Sequence, residues 1–164
     1  MALKLPRTIR LDASDEAVFE RAAEPGEWAV TGGFAFLDTD PTLLAGKRRQ
    51  AFVSGFLGTA SLGWSTFVVV ASADAAIVDE VVERLAGLFV AAHGAPDLEA
   101  ARPVARDEVM LMEGLCRDHP TGTLLAIVRS VDKEGGIRES FRVIDRKAGL
   151  HGRAWDAVPA EDGE

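Results

Sequence analysis

Residues 74–93 read DAAIVDEVVERLAGLFVAAH, and this stretch decides the fold. Seven apolar residues recur in it at helical spacing: Ile77, Val78, Val81, Val82, Leu85, Leu88 and Phe89. The charged side chains between them fall on the opposite face, so the pattern predicts an amphipathic helix with its apolar stripe against a core. Gly94 follows and is typical of a left-handed helix stop.

The residues before this helix predict a strand. Residues 62–73 are rich in β-branched and aromatic side chains and show little polar alternation toward Ala73. Such a run is typical of a central strand that is covered on both faces. We therefore expect the amphipathic helix to pack on a sheet that has this strand at its centre.

A hairpin is predicted in the first part of the chain. Residues 18–23 and 27–36 flank Pro25-Gly26, a pair that suits the middle of a type II turn. The pair Gly32-Gly33 interrupts the second arm, which predicts a bulge or a close approach of the backbone to another segment.

Two further helices are predicted from their start signals. Asp40-Pro41 favours a helix that runs to about Ser54, because aspartate caps free amides and proline fits the first helical position. Pro96-Asp97 favours another that ends near Asp118, and Pro103 is expected to kink or restart it.

The remaining strands complete an α+β pattern. Residues 8–12 form a short strand, and residues 124–131 and 137–146 flank a glycine-containing loop and predict a second hairpin. The order is therefore βββαβααββ. It indicates a mostly antiparallel sheet of about six strands with about three helices on one face.

The length of 164 residues suits one domain, which we place at residues 1–147. Residues 148–164 are predicted to be an acidic C-terminal tail, partly disordered. Trp155 is the exception in this tail, either as a docking residue for a partner or as a plug on its own domain.

Composition limits the partners. The formal charge is -8, so the long-range field repels phosphate backbones and anionic membrane surfaces, and we expect neither nucleic acid nor membrane as a partner. The longest apolar run, residues 67–73, is far shorter than the roughly 20 residues of a membrane span. Cys116 is the only cysteine, and residues 1–12 lack a signal-peptide pattern, so we expect a cytoplasmic location.

Two arginines on the predicted helix at residues 41–54 are candidate ligand-binding residues. Arg48 and Arg49 fall at the edge of its apolar face, where guanidiniums could grip a carboxylate or phosphate. The alternative is a structural role, in which each pairs with a local carboxylate or extends along the rim of the core.

The connection at residues 55–63 is the second part of this candidate site. Gly55, Gly58, Ser61 and the following Ser65 provide amides and hydroxyls on which an anion could rest. The sequence is not a Walker loop, because it lacks the Gly-Lys-Ser/Thr ending and follows a helix. A helix stop followed by a turn explains the same glycines.

Other reactive side chains do not form a recognisable site. Cys116 falls on the apolar ridge of its helix and is predicted to be a core thiol, and His119 follows only after the helix ends. His93 is predicted to lie near the end of its helix, where the protonated side chain is a favourable cation. The three histidines have no zinc-site spacing, so we predict no metal site, and catalytic residues stay unassigned.

Several segments together resemble a small proteobacterial family known as a domain of unknown function. The resemblance spans about Leu5 to Arg146 and rests on residues 7–12, 19–28, 33–36, 55–58, 65–67 and 136–139. It implies genes nearby for a biotin or lipoate ligase-like protein and for formate dehydrogenase-type enzymes, and it implies no catalytic residues.

Two functions are compatible with these observations. The first is an uncharacterised accessory or interaction protein of a bacterial, formate dehydrogenase-like redox system, whose partner is a redox-enzyme subunit or the ligase-like protein. The alternative is a domain or enzyme that holds a small organic acid or acyl compound at Arg48, Arg49 and residues 55–63. No spacing forms a cofactor cradle, so we predict no cofactor and favour a non-enzymatic role. Homo-oligomerisation is left open.

Overall fold

A computed structural model describes residues 3–144 of the chain. It contains the strands β1 (Leu3–Ile9), β2 (Ala29–Val30), β3 (Phe56–Gly58), β4 (Trp64–Ser65), β5 (Phe67–Ala73), β6 (Leu124–Val131) and β7 (Ile137–Ile144). Its α-helices are α1 (Ser14–Val18), α2 (Gly46–Ser54), α3 (Ala75–Ala92) and α4 (Leu98–Arg117). The predicted tail, with His151 and Trp155, lies outside the described residues.

The strands form two antiparallel sheets. One has four strands in the order β1-β5-β6-β7, and the other has three in the order β2-β3-β4. The α+β class is therefore confirmed. The described residues hold seven strands in two sheets and four α-helices, where a single sheet of six strands with three helices was predicted.

Helix α3 confirms the prediction from the opening pattern. Asp74 is its N-cap and accepts a hydrogen bond from the Ile77 amide at 2.8 Å. The predicted apolar stripe supplies buried side chains, among them Val81 and Leu85. Gly94 has φ +82°, the left-handed conformation expected after the helix.

Helix α4 and the second hairpin are also confirmed. Asp97 caps α4 by accepting from the Ala100 amide at 2.8 Å. The helix continues through Pro103 without a break, so the predicted restart at this residue is wrong. Strands β6 and β7 pair over their full length, from Leu124 opposite Ile144 to Val131 opposite Ile137.

The first predicted hairpin is wrong. Residues 14–18 form α1, and of residues 27–36 only Ala29–Val30 is a strand. Gly26 has φ +85°, as a type II turn requires, but the turn is closed by the Glu27 side chain, which accepts from the Glu24 amide at 2.7 Å. The arms then pair elsewhere: Ala22 bridges Trp64, and Trp28 bridges Arg7.

The second arm ends in a tight approach, as the glycine pair predicted. Gly32 has φ +81°, and a Cβ there would lie 2.7 Å from the Leu57 Cβ and 2.8 Å from the Trp64 ring. A side chain therefore fits neither the conformation nor the space. Residues 33–36 continue as a 3₁₀ helix instead of a strand.

The predicted helix over residues 41–54 is interrupted. Asp40 does cap a turn by accepting from the Thr42 amide at 3.0 Å, but that turn is a 3₁₀ helix limited to Pro41–Leu43. The chain is extended at Ala45, and Gly46 has φ +61°, outside the right-handed helical region. The α-helix α2 therefore starts only at Gly46.

The predicted strand at residues 62–73 is divided between the two sheets. β4 belongs to the small sheet and β5 to the large one, and the chain changes sheet at Thr66. Asp15 accepts from both the amide and the hydroxyl of Thr66, at 3.2 and 2.6 Å, so this residue is removed from the ladder. The burial of β5 alternates at its start, so it is half-covered and not enclosed on both faces.

Helices α2, α3 and α4 pack on one face of the four-stranded sheet. Leu125, Ile127 and Arg129 alternate along β6 and so project to the same side. Leu125 and Ile127 share the main buried cluster with residues of α3 and α4. Arg129 contacts the end of α2, which places that helix on the same side.

Arg129 is the largest fully buried side chain of the described residues. Its Nη1 donates to the carbonyls of Ala51 and Phe52 in α2, at 3.2 and 2.8 Å. Its Nη2 donates to the Thr31 carbonyl, and its Nε donates to Glu139 Oε2 at 2.9 Å. One guanidinium thus joins β6, β7, α2 and the residue after β2.

Two carboxyl groups share the surroundings of this guanidinium. Burial lowers the pKa of Arg129, and the hydrogen bond to Glu139 opposes that effect. Burial raises the pKa of Glu108 on α4, and the nearby Glu139 adds to this rise. The charge of Arg129 is therefore balanced mainly by its direct partner, Glu139.

Replacing this guanidinium should destabilise the fold. Arg129→Met removes the guanidinium donor from Glu139 and from the carbonyls of Phe52 and Thr31, while the Ala51 carbonyl keeps the Gly55 amide. We expect a loss of roughly 3–5 kcal/mol in the free energy of unfolding. Urea denaturation followed by circular dichroism measures it. Arg142→Met, at an exposed position of β7, is the matched control and should change stability little. Equal stabilities of the two variants would contradict the role of Arg129.

Candidate functional site

A cavity of about 330 Å³ lies where α2, the end of α3 and the small sheet meet. Its apolar lining consists mainly of Phe34, Phe36, Leu57, Leu62, Trp64 and Leu88. Aromatic contacts fix this lining: the Phe36 ring lies 5.4 Å from Trp64, and the Phe34 ring lies 4.9 Å from Phe89. The floor is therefore preformed and largely aromatic.

Glycines allow these walls to approach each other. The left-handed Gly32 turns the chain into the 3₁₀ helix that carries Phe34 and Phe36. A Cβ at Gly55 would lie 2.8 Å from both the Ala51 carbonyl oxygen and the Trp64 ring. Trp64 thus packs directly on the backbone of the turn after α2.

The rim of the cavity is basic. Arg21, Lys47, Arg48 and His93 line it with a single carboxylate, that of Glu20. All five side chains are exposed. In a chain of formal charge -8, this is a local concentration of the opposite sign, and it favours anions.

The two rim guanidiniums keep donors toward solvent. Arg48 donates from Nη2 to the Thr39 hydroxyl at 3.2 Å and lies 5.8 Å from the centre of the Phe36 ring. Arg21 donates from Nη1 to the Ser61 carbonyl at 3.1 Å. A guanidinium has five N–H donors, so both retain capacity for a carboxylate.

The predicted site residues are separated by the structure. Arg48 lines the cavity, and Gly55 supports its Trp64 wall. Arg49 is exposed on α2 but is not among the lining residues. The Ser65 hydroxyl is buried and donates to the Phe67 carbonyl at 2.6 Å, so it serves the crossing between β4 and β5. The ligand-binding role of these residues stays a prediction.

The loop amides that could hold an anion already hold one from this chain. The Glu27 carboxylate accepts from the amides of Ala60 and Ser61 at 2.9 and 2.7 Å, and from the Ser61 hydroxyl. A Cβ at Gly58 would lie 2.5 Å from Glu27 Oε1, so this glycine makes room for the carboxylate. Ser61 therefore binds Glu27, and Gly58 leaves the space that this carboxylate fills.

Neutralising Glu27 should destabilise this loop. In Glu27→Gln an amide group replaces an oxygen that accepts backbone N–H groups, and we expect a loss of about 1.5–3 kcal/mol. The change in the free energy of unfolding is measurable by urea denaturation. Glu24→Gln, three residues away and exposed, is the control and should unfold like the unaltered chain. A loss no larger than that of the control would show that the carboxylate does not hold the loop.

The lone cysteine is a core residue, as predicted. Cys116 is fully buried on α4, and burial, together with the nearby Glu113, raises the pKa of its thiol to about 12. The thiol therefore stays protonated near neutral pH and is a poor nucleophile. Helix α4 ends at Arg117, before His119.

The sequence patterns did not identify most of the basic rim. They also did not identify the two buried charged side chains that hold neighbouring segments in place, Arg129 and Glu27. Three rim residues come from distant segments that no sequence spacing connects, namely Arg21, Lys47 and His93. For His93 the sequence predicts only a cation at a helix end. Arg129 did carry a signal, because it follows the five apolar residues LLAIV within a predicted strand, where a charge must be paired inside the fold.

Within residues 3–144, no three His, Cys, Asp or Glu side chains cluster as metal ligands would. In the same part of the chain, no helix combines the length and apolar character needed to cross a bilayer.

The chain belongs to a family of unknown function, DUF6505, whose model matches residues 1–160. The match confirms the resemblance to a domain of unknown function and extends beyond Arg146, where that resemblance ended. Trp155 therefore lies within the matched part. Searches of curated proteins and of solved structures found no match.

Proposed function

We propose that this protein binds a small amphipathic anion, an organic acid with an aromatic or acyl body, in the cavity beside α2. The single observation that carries the proposal is the combination of an aromatic floor with a rim of Arg21, Lys47 and Arg48 in an acidic chain. Ligand pockets commonly have this pattern, an apolar lining with a few convergent polar groups.

The chemistry of each part defines the ligand. The guanidiniums of Arg21 and Arg48 bind a carboxylate through charge-assisted hydrogen bonds. Trp64 and Phe34 bury an apolar body and favour an aromatic or extended acyl group. The volume, about 330 Å³, is near the lower end for small-molecule sites and suits a compact ligand. The proposal concerns binding and assigns no reaction.

Titration calorimetry of the full chain with octanoate and 3-phenylpropionate tests the proposal. Both carboxylates should bind, and the corresponding amides should bind at least tenfold more weakly because they lack the charge. Arg48→Glu should weaken carboxylate binding by about 10–100-fold, the effect of losing one charged hydrogen bond.

Arg49→Glu is the matched control for this titration. It makes the same change of charge one residue away on α2, at an exposed position outside the cavity lining. Its affinity for carboxylates should stay close to that of the unaltered chain. Equal losses in the two variants, or no binding of either carboxylate at millimolar concentration, would contradict the proposal.

A second candidate is an accessory protein of a cytoplasmic, formate dehydrogenase-like redox system, as the family resemblance implies. The observation that favours it is an apolar stripe on α4, where Val104 and Leu111 lie one heptad apart and are 54% and 52% exposed. Apolar side chains exposed together on one helix are typical of contact surfaces.

Affinity capture with the tagged full chain, at native expression in its host, tests this second candidate. It should recover a redox-enzyme subunit or the ligase-like protein. The double variant Val104→Glu/Leu111→Glu should lose that partner, whereas Leu43→Glu, at a 78% exposed position, should retain it. Recovery of the tagged chain alone would contradict the candidate.

A further inference from the structure

We propose that the chain's own C-terminal segment, residues 145–164, occupies the cavity beside α2, with Trp155 on the aromatic floor. The segment would then compete with the small anion of the proposed function, and in this respect the inference rests on that function. Charge, chemistry and reach each support this occupant.

Charge is the first reason. Residues 145–164 contain five acidic and three basic side chains, and the charge is divided at Trp155. The basic Arg146, Lys147 and Arg153 precede it, whereas the residues that follow it carry four carboxylates and no basic side chain, namely Asp156, Glu161, Asp162 and Glu164. The cavity rim has the opposite sign, through Arg21, Lys47 and Arg48. The acidic residues that follow Trp155 would therefore meet the rim when its indole enters the cavity.

The chemistry of the anchor is the second reason. Trp155 is the only aromatic residue after Phe141. Tryptophan is the side chain that most often anchors a peptide in an apolar pocket, and it packs edge to face with other rings. The floor of the cavity offers three rings, those of Phe34, Phe36 and Trp64.

Reach is the third reason. Phe36 lines the cavity and also belongs to a buried cluster. Ile137, at the start of β7, packs against that cluster. The segment begins after Ile144, at the other end of β7. Returning along the strand covers about 24 Å, at roughly 3.4 Å per residue. Trp155 lies eleven positions after Ile144, and eleven residue steps span up to roughly 36 Å. The segment is therefore long enough.

Fluorine NMR of the full chain labelled with 5-fluorotryptophan tests this occupancy. The chain has three tryptophans, and Trp155→Phe assigns the third resonance. We expect the Trp155 resonance to lie away from the position of the free amino acid and to return toward it in Arg48→Glu. Arg49→Glu should leave it in place, because Arg49 does not line the cavity.

Any of three results would overturn the inference, and the first two concern the resonance itself. One is a Trp155 resonance at the free position in the unaltered chain, or one that responds equally to the two arginine variants. The other is a displacement that disappears on dilution, because an occupant from a second copy depends on concentration whereas a segment of the same chain does not.

Titration of Trp155→Ala with 3-phenylpropionate separates this inference from the proposed function. If the segment occupies the cavity in about nine-tenths of the molecules, removing its anchor should raise the affinity for 3-phenylpropionate about tenfold. If the affinity is unchanged by Trp155→Ala but lost in Arg48→Glu, occupancy of the cavity by the segment is refuted and the proposed carboxylate site is retained. If the Trp155 resonance responds to Arg48→Glu but neither the unaltered chain nor Trp155→Ala binds a carboxylate, the proposed carboxylate site is refuted and occupancy by the segment is retained.

Discussion

The buried guanidinium of Arg129 is the interaction on which the arrangement of this protein depends. A charge withdrawn from water must have hydrogen-bond partners, and here they come from three separate parts of the chain: Glu139, the end of α2 and the Thr31 carbonyl. Each partner is thereby fixed relative to β6. Because α2 and the residues after β2 both contribute to the cavity, its shape follows from this one buried charge.

A second buried charge, that of Glu27, organises the loop between β3 and β4, which also contributes to the cavity through Leu62. Its carboxylate holds the loop between β3 and β4 through two amides and a hydroxyl, and so positions the strand that carries Trp64. The anion site suggested by the glycines of this loop is therefore internal. The rim of the cavity carries exposed charges that are mostly basic, with Glu20 as the one carboxylate among them, although the chain as a whole is acidic.

Local patterns were sufficient for some elements. Helix α3, helix α4 and the β6–β7 hairpin follow from hydrophobic period, capping residues and a glycine loop, all of which act between near neighbours. The errors lie where a distant side chain intervened. Asp15 takes Thr66 out of the ladder and divides one predicted strand between two sheets. Of the charged and hydroxyl side chains predicted for the site, only Arg48 lines the cavity; Leu57 and Leu62 of the predicted connection line it as well, and Gly55 packs against Trp64.

The sequence by itself determined the α+β class, the amphipathic helix at its centre and the core position of Cys116, because helical period and capping are properties of consecutive residues. Only the tertiary structure decided which charges are buried and which face the cavity. Arg129 finds its acceptors as far as 98 positions away, and the rim draws Arg21, Lys47 and His93 from separate elements. Contacts between such distant residues depend on how the elements pack, and no local pattern encodes them.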